Sequence, residues 1–207
     1  MHGVDQGPED MGEEAADTLK KFQRRAEAAH VRVTESSLNY PRVGIIDLFK
    51  EALQEFPSVA TGAEALGARI ESQKEKCPDQ RAVLVGNSLG AWVVGEFLKE
   101  APGDLVSRVE AVALYGDPQF DPAASGIARG SRDGFGVARL PNLFARKTDL
   151  PQGLSGRVAS YCLSVGAFPF KAHDPVCNFT ASNEIDLAVC IAKLQDSCPH
   201  LQYVTRT

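Results

Sequence analysis

A chain of 207 residues, 43% hydrophobic and 24% charged, has the balance of one globular domain with a sizeable core. Its net charge is −5 and its basic residues are scattered, which gives nucleic-acid binding no electrostatic footing. No apolar stretch approaches membrane-span length, so stable membrane insertion is not expected, and the polar start Met1-His2-Gly3-Val4-Asp5-Gln6-Gly7-Pro8 does not read as a signal peptide.

Met11 to Ala29 reads as an amphipathic helix, with Leu19, Phe22 and Ala26 on one stripe and acidic residues at its start. Val31-Arg32-Val33 reads as a short strand, and Leu38-Asn39-Tyr40-Pro41 as the loop that follows. Apolar residues recur at helical spacing from Ile45 to Glu55. A further helix is expected from Ser58 or Thr61 to Lys76, burying Val59, Ala63, Leu66 and Ile70 between the punctuating Pro57 and Pro78.

Ala82-Val83-Leu84-Val85 suits a strand buried on both faces, and Ala91 to Lys99 suits a buried helix. Val109 to Tyr115 is another buried strand, ended by Gly116-Asp117-Pro118. Residues 119–153 are rich in Gly, Pro, Asp and Arg and read as a long surface excursion. Arg157 to Cys162 is a further strand, Glu184 to Leu194 looks helical, and Cys198-Pro199-His200 begins the tail. Strands alternating with helices predict a parallel sheet covered on both faces, an α/β sandwich of three layers in one domain over 1–207.

Five cysteines bear on compartment. Cys162 and Cys177 bracket a loop, Cys190 and Cys198 lie in the last stretch, and Cys77 stands alone. The absence of any C-x-x-C pair argues against a zinc site. Buried reduced thiols in a cytosolic protein compete evenly with bridged cysteines in an exported one. The sequon Asn178-Phe179-Thr180 adds slightly to the exported reading.

Between the strand at 82–85 and the helix at 91–99 lies Gly86-Asn87-Ser88-Leu89-Gly90, a G-x-S-x-G match. A strand-to-helix turn that tight strains its central residue, and a Cβ at the flanking glycines would strike the neighbouring chain. Such a turn is expected to leave a serine hydroxyl exposed above the sheet at a helix N-terminus, where free N–H groups favour negative charge.

A serine hydroxyl needs a base to take its proton and an acid to orient that base. Of the four histidines, His2 lies in the first residues of the chain and His30 ends a surface helix, while His173 and His200 follow the later strands. His200 is the better base, since it completes the chain order Ser, Asp, His. Asp174, which precedes it by 26 residues, is the favoured acid, and Asp117 is the competitor, although a turn role at the strand end suits Asp117-Pro118 better.

Cys77-Pro78-Asp79, Ala113-Leu114-Tyr115-Gly116-Asp117-Pro118, Cys162…Asp174-Pro175-Val176-Cys177 and His200-Leu201-Gln202-Tyr203 together resemble the cutinase family. The likeness is to the actinomycete-type branch of the cutinase and acetylxylan esterase group, and runs from about Gly7 to Tyr203. It implies a compact, lidless α/β-hydrolase-type serine esterase, usually secreted, monomeric and in need of no cofactor or metal. Ser88 would be the nucleophile, Asp174 the orienting acid and His200 the base. A Cys162–Cys177 disulfide would close the acid loop. The Leu89 backbone N–H would serve as an oxyanion donor, because that donation does not depend on the side chain.

Two departures modify these expectations. The family's usual G-Y-S-Q-G is here Gly86-Asn87-Ser88-Leu89-Gly90, so a more apolar acyl site is expected, with Leu154, Phe168, Phe170, Val176 and Leu201 also near it. Family members also open with a strand ending A-R-G-[S/T], which gives the second oxyanion donor, and they carry a helix after H-x-x-Y. Both elements are expected to be missing from this chain. The expected substrates are aliphatic esters or polyesters, with polysaccharide deacetylation or lipid-ester cleavage as alternatives. The non-enzymatic alternative is an inactive member of the fold that binds a lipid or a partner.

Overall fold

The first helix, α1 (Glu13–Ala28), forms where the amphipathic spacing predicts and buries Ala15 and Ala26. Its end is set by a cap. His30 adopts a left-handed φ of 56°, Val31 N–H donates to Ala26 O at 2.8 Å, and His30 N–H donates to Glu27 O at 3.0 Å. This is a Schellman arrangement with histidine in the place glycine usually takes. It also explains why the strand expected at Val31-Arg32-Val33 does not form. The Val31 amide closes the helix, its side chain is 56% exposed, and no ladder includes 31–33.

The structure is a computed structural model and describes residues 13–41, 56–122, 128–130, 134–139, 150, 152–154, 156–165 and 172–178. The helices expected at 45–55 and 184–194 lie outside them. The helix α2 (Pro57–Lys76) matches expectation, with Val59, Leu66 and Ile70 buried. Strand β1 (Ala82–Asn87), helix α3 (Leu89–Glu100), the short α4 (Gly103–Val106) and strand β2 (Val109–Tyr115) follow. Then come β3 (Ala128–Gly130), β4 (Val158–Cys162), β5 (Ser164–Val165) and β6 (Ala172–His173).

The main sheet has the order β1-β2-β4-β3, and every pairing in it is parallel, while β5 and β6 form a small antiparallel pair. One face of the sheet, carrying Leu84, Val112, Leu114 and Val158, packs against Leu66 and Ile70 of α2 and Val94, Phe97 and Leu98 of α3. Each such fully buried side chain contributes roughly 1.5–3 kcal/mol. Alternation sends Tyr115 to the opposite face, where its hydroxyl meets Thr18 Oγ1 of α1 at 2.7 Å and its ring stacks on Tyr161. Helices therefore cover both faces, as the alternation of elements predicts.

Burial of β1 on both faces is corrected. Leu84 is buried, but Val83 is 36% exposed. A groove of about 1220 Å³ runs along β1 between α1, residues 31–38 and α2, and neither Ser88 nor Asp174 lines it. The surface excursion expected at 119–153 is also corrected. Gln119, Phe120 and Ala138 are buried, and β3 adds a strand beyond β4.

Candidate active site

Ser88 sits between β1 and α3 with φ 53° and ψ −118°, a backbone conformation that non-glycine residues rarely adopt. Such strain costs on the order of 1–3 kcal/mol and persists only where the surroundings enforce it. Here Ser88 N–H donates to Tyr115 O at 2.8 Å, which ties the turn to β2. On the far side, Ser88 O accepts the amides of Ala91 and Trp92 at 2.9 and 3.2 Å and starts α3. A Cβ at Gly86 would stand 2.5 Å from Gly90 O and 2.8 Å from Ala91 Cα, so only glycine fits. The sequence expectation for this turn holds in its backbone angles and in its glycine, but the serine expected to be exposed is buried, at 8% exposure.

Leu89 begins α3, so its N–H belongs to the first turn, where amides have no intrahelical acceptor. Its side chain contradicts the expected apolar acyl site. Leu89 is 0% exposed and packs in a cluster with Tyr40, Phe56, Val59, Trp92, Val93 and Ala138. The reason is helical geometry: a side chain at the first position leans back under the turn, into the layer between α3 and α2. Leu154 likewise belongs to the main core, beside Val158. Phe168, Phe170 and Leu201 lie outside the described residues.

Asp174 follows β6 and is completely buried. Its Oδ1 accepts the Val176 N–H at 2.9 Å, and its own N–H donates to Leu163 O, directly after β4, at 2.9 Å. The Cys162–Cys177 disulfide, expected from the family resemblance, is formed and spans 15 residues around this loop. Cys77 is a free, exposed thiol. Since β1, β2 and β4 are parallel, Ser88 after β1 and Asp174 after β4 emerge at the same C-terminal edge, where ligands gather in open α/β sheets. His200 lies outside the described residues, and so does the side chain of His173.

Asp117, the competing acid, emerges at that edge too, after β2. Its Oδ1 accepts the Gln119 N–H at 2.8 Å in a tight turn, and burial pushes its pKa up to about 6, partly offset by that amide. Behind it lies a buried polar network absent from the sequence reading. Glu96 Oε1 accepts from Trp92 Nε1 at 3.0 Å and Gln119 Nε2 at 2.7 Å, and pairs with Lys99 Nζ at 3.2 Å. Burial alone would raise the Glu96 pKa, but the Lys99 charge and these donors outweigh it and hold the carboxyl below its ordinary value. The network pins the inner face of α3 to the β2 exit. Its sequence signal was slight: Glu96 set in the apolar run from Leu89 to Leu98.

The sequon at Asn178 is not an exposed acceptor, because Asn178 is fully buried at the end of the acid loop. Among the described residues no cluster of His, Cys, Asp and Glu could hold a metal ion, and no helix is long and apolar enough to cross a membrane.

A strained serine, a disulfide-closed loop bearing a buried aspartate, and a parallel sheet that brings both to one edge agree with one family model: the cutinase model matches residues 18–207. The chain belongs to the cutinase family. Carboxylesterase Culp1 of Mycobacterium tuberculosis is 31% identical over 91 residues, 44% of this chain and 40% of the relative. The match thus spans about two fifths of that relative's length. An acetyl xylan esterase structure superposes over 99% of this chain and 93% of its own with a TM-score of 0.63 at 19% identity. A cutinase-like protein from Cryptococcus sp. covers 85% of this chain and 75% of its own, with a TM-score of 0.61 at 18% identity. At those identities the likeness is one of fold, and it is the α/β fold of cutinase-like proteins.

Proposed function

We propose that this chain is a serine carboxylic-ester hydrolase. The observation that carries the reading is the strained φ of Ser88 at the β1–α3 junction in a member of the cutinase family. Ser88 Oγ attacks the ester carbonyl carbon while His200 takes its proton. The oxyanion forms against the Leu89 N–H at the N-terminus of α3, where the helix dipole favours negative charge. His200 passes the proton to the departing alkoxide, leaving an acyl-serine. Water, deprotonated by His200, attacks the acyl carbon, and the proton returns to Ser88 as the acid leaves. Asp174 holds the imidazole tautomer and stabilises its charged form, as buried orienting acids do.

Uncharged aliphatic esters and polyesters are the substrates this reading favours, since the net charge of −5 disfavours anionic ligands. The Cys162–Cys177 bond supports an oxidising, extracytoplasmic location.

The test is fluorophosphonate labelling with peptide mass mapping, on the chain and on Ser88→Ala and His200→Ala. The adduct is expected on Ser88 and absent from both variants, with ester hydrolysis down at least about a thousandfold. A folded chain that takes no adduct overturns the proposal.

A further inference from the structure

Four residues outside every motif, Gly136–Arg139, join the three parts of the site. Gly136 N–H donates to Phe120 O at 2.9 Å and Ala138 N–H to Pro118 O at 2.8 Å, both on the turn where β2 ends. Between them, Val137 N–H donates to Val176 O at 2.8 Å, in the acid loop. The Ala138 side chain is buried in the cluster that holds Leu89, the residue after Ser88. A Cβ on Gly136 would fall on the Pro118 carbonyl, so the approach is as close as a backbone allows.

Val176 is the link in this chain of contacts. Its N–H donates to the Asp174 carboxylate, and its C=O receives the Val137 amide. The disulfide through Cys177 and the Asp174 N–H bond to Leu163 O both fasten the loop on the β4 side. The bond to Val137 is a tether in another direction, towards β2 and α3. Holds from two sides fix both the position and the orientation of a loop, and orientation is what an acid that steers an imidazole must have.

We propose that Gly136–Arg139 is a strap that registers the acid loop against the nucleophile turn, and that Val137 is a positioning residue acting on Asp174 through Val176. The inference rests on the reading under "Proposed function".

Val137→Pro tests it by removing the amide hydrogen and setting the proline Cδ against Val176 O, which breaks this contact. Val137 opens a 3₁₀ turn, a first position whose φ proline fits. Three quantities are read on the full chain: kcat and KM for a soluble p-nitrophenyl ester across pH, amide exchange of peptides covering 172–178 and 84–94, and thermal stability. The expected result is a kcat lower by about tenfold to a hundredfold with KM within about twofold, since misplacement by an ångström costs that much. The acidic limb of the profile moves to lower pH, because a displaced carboxylate no longer stabilises the charged imidazole. Exchange quickens in 172–178 and not in 84–94. Val137→Ala, which restores the amide, rescues all three.

A Val137→Pro chain with the wild-type pH profile and wild-type exchange at 172–178 overturns the inference, as does Val137→Ala impaired to the same degree. If Val137→Pro does not fold, Ala138→Gly loosens the anchor instead, and faster exchange confined to 172–178 is again required. A wild-type chain that cleaves no ester and takes no fluorophosphonate sinks the hydrolase reading, while the exchange comparison still decides whether the strap holds the loop.

Discussion

The nucleophile turn and the acid loop reach the same edge of the sheet by opposite means. The turn is local: β1, Ser88 and α3 are continuous in sequence, and its shape follows from Gly86, Ser88 and the helix that starts at Leu89. At its centre, Ser88 N–H also bonds Tyr115 O on the neighbouring strand. Among its described residues the acid loop has little regular structure, the two-residue strands β5 and β6. It is held by a disulfide to β4, by Leu163 O and by the Val137 amide, all remote in sequence or outside the loop. A strained residue can be imposed by its immediate neighbours, whereas a buried carboxylate must be delivered by the rest of the molecule.

The comparison is broken most severely at Gly86. Gly86→Ala drives a Cβ into the backbone of Gly90 and Ala91, which cannot swing aside as a side chain could. Labelling of Ser88 should slow by about a hundredfold or more, and near-ultraviolet circular dichroism should report the loss of packing around Trp92. Wild-type labelling in that variant would mean the turn is set from outside after all.

Breaking the other half calls for the Cys162→Ser, Cys177→Ser pair. For a loop of 15 residues the chain-entropy estimate is about 3 kcal/mol of lost stability. Denaturant melts should show that loss, and labelling of Ser88 should slow because the loop that carries Asp174 is loosened, while amide exchange of peptides covering 84–94 keeps its wild-type rate. Faster exchange in 84–94 as well would show the two regions to be one cooperative unit.

The mildest change, which bears on stability and its pH dependence alone, lies between them, at Asp117. Burial raises its pKa from 3.8 to about 6, so the folded state holds that proton more tightly than the unfolded chain. The resulting stabilisation is complete below about pH 3.8 and is lost as pH rises through 6. Asp117→Asn should flatten the stability profile over that window and leave the variant more stable at pH 7, by up to about 3 kcal/mol. Melting temperatures at pH 4, 5, 6 and 7 decide it, and parallel curves for the two proteins would remove Asp117 from the pH response.

What sequence alone determined are the features carried by neighbouring residues: the helix that ends at Lys76, the strands that start at Ala82 and Val109, and the strained Ser88 between its glycines. Hydrophobic period and steric exclusion act over a few residues, so they can be read from a few residues. The Cys162–Cys177 bond was legible only through resemblance to a family, because spacing alone left reduced thiols equally open. Tertiary structure decided the rest. It engaged the Val31 amide in a helix cap where β-branched composition suggested a strand. It turned Leu89 into the core where a motif comparison suggested an acyl pocket, and it opened the groove beside Val83. It also drew Gly136–Arg139 from a presumed surface excursion to the junction of three elements. Each of these outcomes depends on which distant backbone group arrives at a given amide or side chain, and a local pattern holds no record of that.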